Sequence, residues 1–209
     1  MLASLKKWSI GALLMLAASA SAYSAPKTVL VLGDSLSAEY GLARGAGWVA
    51  LLEQKLKAEK IDAAIVNASI SGETTSGGRA RLPALLAQHK PDIVVIELGA
   101  NDGLRGQPVA AAEANLRSML DLSAKNSARV LLVGMRMPPN YGRDYTERFF
   151  SMYKTLATQY KAPLVPFMLD GVADKPALFQ ADRLHPTAQA HPVILANIWP
   201  QFLALIKAK

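Results

Sequence analysis

Short runs of consecutive apolar residues alternate along this chain with longer stretches in which apolar positions recur every three or four residues. Lys27-Thr28-Val29-Leu30-Val31-Leu32 opens the series of runs, followed by Asp62–Ala68, Ile93–Leu98, Arg129–Met135 and Leu164–Phe167. They are too continuously apolar for a sheet with one wet face and read as strands buried on both sides. Between them, Trp48, Leu51, Leu52 and Leu56 share a helical face, with Glu53, Lys55, Lys57 and Glu59 opposite. Leu82, Leu85 and Leu86 mark a second helix, and Pro108 opens a third that runs to about Asn126. Phe149, Met152, Tyr153, Leu156 and Tyr160 mark a fourth. Ala188–Ile206 reads as a C-terminal helix with Ile194, Ile198, Phe202 and Ile206 inward, and with Pro200 kinking it or lying on its exposed side. This alternation, repeating about every 30–35 residues, requires crossover helices between parallel strands. It predicts one domain, a three-layer α/β/α sandwich of the flavodoxin-like kind, with five parallel strands in the order 2-1-3-4-5.

Composition changes the picture at the N-terminus. Lys6 and Lys7 precede an apolar run from Trp8 to Ala18, too short to span a bilayer, and Ala20-Ser21-Ala22 supplies a small-x-small cleavage site. Residues 1–22 are therefore expected to be a signal peptide, with the mature domain at 23–209 and a periplasmic address, or a secreted one in a host without an outer membrane. Cysteine is absent from the sequence, which excludes disulfides, thiolate metal sites and a thiol nucleophile. The formal net charge of +7 falls by two without Lys6 and Lys7. No basic run and no interleaving of positives with aromatics points to nucleic acid. The surplus leaves room for a transient membrane-surface contact, and a monomer is expected.

The candidate chemistry collects at strand ends, where open α/β sheets bind ligands. The first strand stops at Gly33 and is followed by Asp34-Ser35. The second leads to a turn containing Gly72, and the third to Gly99-Ala100-Asn101-Asp102. A serine nucleophile needs a base. His89 sits at a helix end beside Lys90 and Pro91, and His191 begins the last helix, where a structural role is expected. His185 follows Asp182 by three residues and precedes Pro186, a spacing that lets the carboxylate meet one ring nitrogen and leaves the other free. The backbone N–H groups of Ser35 and Gly72 and the amide of Asn101 are candidate oxyanion donors. Each motif alone has an ordinary reading as a surface turn; their joint occurrence carries the argument.

In four ordered blocks, Gly33–Ser37 (GDSLS), the glycine at 72, Gly99–Asp102 and Asp182–Pro186, the chain resembles the SGNH or GDSL hydrolases. Asn67–Thr75, Ala80–Leu86, Glu97–Gly106 and Pro139–Gly142 resemble more narrowly the periplasmic acyl-CoA thioesterase, lysophospholipase and arylesterase subfamily. The resemblance implies Ser35 as nucleophile, His185 as base, Asp182 as its orienter, and Ser35, Gly72 and Asn101 as the oxyanion hole. It implies a serine esterase acting on aryl esters, acyl thioesters and lysophospholipids, with no cofactor and no metal. Ala100 and Glu39-Tyr40-Gly41 depart from the family's usual residues. Leu104, Met137, Pro138, Tyr141 and Tyr145, in loops after the third and fourth strands, are expected to line an acyl groove. The alternatives are a carbohydrate or peptidoglycan O-deacetylase of the same fold and a non-catalytic flavodoxin-like binding module.

Overall fold

Five runs of apolar residues pair into one parallel sheet in a computed structural model that describes residues 25–208. The strands are β1 (Lys27–Gly33), β2 (Ala63–Asn67), β3 (Ile93–Glu97), β4 (Arg129–Val133) and β5 (Leu164–Val165). Their order is β2-β1-β3-β4-β5, with every pair parallel. The expected 2-1-3-4-5 order is thus the observed one. Val29–Leu32 and Ile93–Ile96 are wholly inaccessible, as strands covered on both faces must be.

The helices are α1 (Trp48–Ala58), α2 (Thr75–His89), α3 (Ala100–Leu104), α4 (Val109–Lys125), α5 (Arg143–Tyr160) and α6 (His191–Lys207). Helix α1 packs with α6 on one face of the sheet, while α2, α4 and α5 pack in series on the other. Ile194, Ile198, Phe202 and Ile206 are buried, and Pro200 lies on the exposed side of α6. The fifth strand is shorter than the run that predicts it. Pro163 and Pro166 bracket it, and a proline has no N–H to give to a ladder. The expected turn at Gly99–Gly103 closes instead into the single-turn helix α3, which begins at Ala100. The signal-peptide expectation lies outside the described residues.

Parallel pairing has one direct consequence for chemistry. The register sets Gly33 beside Glu97, so β1 and β3 end together. Everything that follows those ends, residues 34–37 and 98–102, shares one rim.

Candidate active site

Ser35 lies in the turn directly after β1, and His185 reaches it from a loop 150 positions later: Nε2 stands 2.9 Å from the Ser35 Oγ. His185 Nδ1 stands 2.7 Å from the Oδ2 of Asp182. The other carboxylate oxygen of Asp182 accepts the backbone N–H groups of Leu184, at 2.9 Å, and His185, at 3.0 Å. Those backbone donors, with the imidazole, hold the Asp182 carboxyl down at about pKa 2. A carboxylate that stays charged fixes the proton on Nδ1 and leaves Nε2 as an acceptor toward Ser35. The three residues singled out in the sequence are therefore in hydrogen-bond sequence.

The loop that carries His185 is held by Gln180. Its backbone N–H donates to the His185 carbonyl at 2.8 Å, and its side-chain amide donates to the carbonyls of Tyr40, at 2.9 Å, and Pro186, at 3.0 Å. A side chain at Gly41, where φ is +71°, would collide with the Gln180 amide. The Tyr40 ring packs on the His185 ring with centroids 4.3 Å apart. The serine turn and the histidine loop are thus clamped to each other. The sequence reading had not found Gln180; its contacts span up to 140 positions and leave no periodic signal.

Behind Ser35 lies a buried polar network that the sequence reading also missed. The Glu97 carboxyl is 2% exposed and takes the Ser37 hydroxyl at 2.7 Å and the Asp34 N–H at 3.4 Å. Ser37 in turn accepts the Trp48 indole N–H at 3.2 Å. Asp34 accepts the Leu36 N–H on one oxygen and the Asn101 amide on the other. Burial pushes the Asp34 carboxyl up to about 6, and burial together with the Asp34 charge pushes Glu97 well above the ordinary range. Ser37 is spent on this network, and it does not line the cleft beside Ser35. His191 is structural, as expected: buried, its Nδ1 accepts the Trp48 N–H at 2.9 Å at the start of α1, and burial lowers its pKa.

The candidate oxyanion donors differ in their availability. The N–H groups of Ser35 and Gly72 make no hydrogen bond within the protein among the described residues. Gly72 holds φ at +78°, a conformation that glycine adopts without strain. The space beside it is open, with nothing nearer to an added Cβ than the Arg105 guanidinium at 3.9 Å. The conformation, not a tight approach, is what calls for glycine there. The Asn101 amide is already engaged, donating to the Glu73 carbonyl at 2.9 Å and to Asp34 Oδ2 at 3.1 Å.

A cleft of about 550 Å³ opens over Ser35 and His185. Leu104, Met137 and Pro138 line it as expected, and Ala100 and Asn101 also face it. Tyr141 and Tyr145 are a correction: neither lines the cleft. Their hydroxyls turn to the loop behind it, Tyr141 donating to the Leu104 carbonyl at 2.9 Å and Tyr145 to the Gln107 carbonyl at 2.8 Å. They brace the wall that Leu104 belongs to. Leu36 and Leu184 add to the apolar wall from within the motifs, and Met135, Phe167, Leu169, Ala173 and Phe179 add to it after β4 and β5. Those strand-following segments carry no motif, which is why sequence reading passed over them. Among the described residues, no group of three or more His, Cys, Asp or Glu is arranged to hold a metal ion.

Comparison with known proteins bears on the chain as a whole. Residues 31–193 match the GDSL-like lipase/acylhydrolase family. Esterase TesA of Pseudomonas aeruginosa is 51% identical over 88% of this chain and 91% of its own length. Thioesterase 1/protease 1/lysophospholipase L1 of Escherichia coli K12 is 48% identical over 82% of this chain and 81% of its own. A crystal structure of TesA superposes with a TM-score of 0.84 at 51% identity, covering 86% of this chain and 99% of that one.

Proposed function

The chain belongs to the GDSL-like lipase/acylhydrolase family, and from that premise we propose that Ser35, His185 and Asp182 are the catalytic triad with which it hydrolyses acyl esters and thioesters. The observation that carries the assignment is the unbroken sequence of contacts from the Ser35 Oγ through His185 to Asp182, at 2.9 and 2.7 Å. The Ser35 Oγ attacks the acyl carbonyl carbon while His185 Nε2 takes its proton. The resulting imidazolium is stabilised by the Asp182 carboxylate, which keeps its charge. The carbonyl oxygen, now an anion, accepts the free N–H groups of Ser35 and Gly72. It also recruits the Asn101 hydrogen shared with Asp34, the longer of that amide's two bonds. Collapse expels the alcohol or thiol, which leaves with the proton from Nε2. Water, deprotonated by the same nitrogen, then attacks the acyl-enzyme and releases the acid. Every group in this sequence comes from one chain, so a single copy carries the whole set of catalytic groups proposed.

The apolar wall of the cleft supports an acyl chain longer than acetyl, which separates this reading from a sugar deacetylase. The P. aeruginosa relative is named an esterase and the E. coli one a thioesterase and lysophospholipase. We carry aryl esters, acyl thioesters and lysophospholipids over as the substrate range of this chain. The basic and apolar N-terminal pattern supports export to the periplasm. The deciding experiment assays the protein and its Ser35→Ala variant on p-nitrophenyl esters from acetyl to palmitoyl. Turnover should fall by about 10⁴-fold or more in the variant, with an unchanged melting temperature. A variant that keeps its activity would remove Ser35 as the nucleophile.

A further inference from the structure

Two arginines, Arg136 and Arg183, are among the residues lining the catalytic cleft, and neither forms an ion pair among the described residues. Asp34 also lines the cleft, but it is 1% exposed and its two oxygens are committed to Leu36 and Asn101. Neither guanidinium is therefore held in a direct ion pair with a carboxylate among the described residues.

Arg136 is also held in position. Its guanidinium carbon lies 4.1 Å from the centre of the Phe150 ring and 5.5 Å from that of Phe167, which itself lines the cleft. A cation–π contact restrains the guanidinium and leaves its N–H groups able to meet a planar or tetrahedral oxyanion. Arg136 is exposed, and its guanidinium nonetheless rests against two aromatic rings at the edge of the cleft. Arg183 stands between Asp182 and Leu184 with φ at +58°, in the left-handed region that an L-residue occupies at a cost. A glycine would meet that backbone requirement more easily, so the guanidinium there is carried against the local conformational preference.

Beside these charges the cleft is walled by Leu104, Met135, Met137, Phe167, Leu169 and Phe179. A hydrocarbon chain suits that wall, and an anion suits the two exposed guanidiniums at its edge. We infer that Arg136, together with Arg183, forms a subsite for an anionic group, phosphate or carboxylate, that the substrate carries away from its scissile ester. This rests on the ester-hydrolase reading and adds to it the charge of the preferred substrate. The anion has two sources: a phosphate on the departing alcohol or thiol, or a carboxylate at the far end of the acyl chain.

Two matched substrate pairs separate these sources. One compares a lysophosphatidylglycerol with a monoacylglycerol of the same chain, and the other compares p-nitrophenyl hydrogen glutarate with p-nitrophenyl butyrate. The protein should favour the anionic member of one pair by about tenfold or more in kcat/KM, the scale of one charge-assisted hydrogen bond. Arg136→Gln and Arg183→Gly should each shrink that ratio, Arg136→Lys should keep part of it, and high salt should narrow it. Equal rates within both pairs, or a preference that survives in both Arg136→Gln and Arg183→Gly, would overturn the subsite. A binding arm keeps this result separate from the hydrolase reading. The inactive Ser35→Ala protein should bind decyl phosphate more tightly than decanol by calorimetry, and Arg136→Gln should erase the difference. If no ester is turned over, the hydrolase reading fails, while equal binding of the two decyl compounds sinks the subsite alone.

Discussion

Asp34 and Asp182 are the same residue type, both are within one residue or one side chain of Ser35 and His185, and their acidities are driven in opposite directions. Asp34 is buried at the end of β1 beside a second buried carboxyl, Glu97, and its pKa rises to about 6. Asp182 sits in an open loop, accepts three hydrogen bonds, and its pKa falls to about 2. Distance from the chemistry does not decide which shift occurs; the balance between lost water and gained donors does. The serine half of the site is thus rooted in the core, with its polar groups dry and linked through Ser37 to Trp48. The histidine half is laid over the surface and held by a few hydrogen bonds through Gln180. Damage to the first half should register mainly in stability, and damage to the second mainly in rate.

Asp182→Asn gives the widest expected separation. An amide can offer its N–H side to His185 Nδ1 and impose the wrong tautomer, so kcat should drop by about 10²–10⁴-fold. Thermal unfolding should be almost unmoved, because the residue is exposed; a large loss of melting temperature would contradict the division. Glu97→Ala should behave in the opposite way. It leaves a cavity and removes the acceptor of the Ser37 hydroxyl, costing about 2–4 kcal/mol. That corresponds to a fall of about 5–10 °C in a calorimetric scan for a chain of this size. Glu97→Gln, which keeps the volume and an acceptor, should recover most of it.

The opposed shifts also make opposite pH dependences. Asp34 in the folded protein holds its proton up to about pH 6, whereas in the unfolded chain it loses it near its ordinary value of 3.8. The folded state therefore binds more protons across that window, and stability from this group declines as pH rises through it. Glu97 acts with the same sign. Asp182 acts with the other: what it contributes is present above about pH 4 and is lost as pH falls through about 2. Urea titrations between about pH 4 and pH 7 should show a downward slope in the protein that is flattened in Asp34→Asn; an unchanged slope would mean that Asp34 ionises freely. The smallest effect is expected for Gln180→Ala. Loosening the histidine loop should lower kcat by about 3–10-fold, leave KM nearly constant, and slow phosphonylation of Ser35 by a fluorophosphonate to match. A rise in KM with kcat intact would assign Gln180 to substrate contact instead of positioning.

How much of this was legible in the sequence follows the same division. Strand order and the faces of α1 and α6 follow from periodicity, because burial on both faces of a parallel sheet is written into consecutive residues such as Val29–Leu32. The four chemistry-bearing segments, at Ser35, Gly72, Asn101 and Asp182–His185, were found because each lies in a compact motif. What escaped depends on contacts between distant segments. Tyr141 and Tyr145 have the composition of groove residues, but their hydroxyls are drawn to the Leu104 and Gln107 carbonyls and turn them away from the cleft. Glu97 reads as the last residue of a strand, and nothing adjacent to it reveals that its oxygen receives Ser37 from 60 positions away. Arg136 gives no local sign that two phenylalanines will lie against it.

The end of the sheet remote from Ser35 carries its own tie. The Lys27 ammonium donates to the carbonyl of Ile206 at 2.6 Å, and the Arg129 guanidinium donates to that of Ala208 at 3.0 Å. The start of β1 and the end of α6 are therefore neighbours, both on the rim opposite the cleft. An affinity tag, a bead linker or a fusion partner joined directly at residue 25 or residue 208 would depart from the rear of the molecule and hold the cleft outward. The same proximity makes the protein a candidate for circular permutation, with a short peptide joining residue 208 to residue 25 and new ends cut in a loop far from the tie.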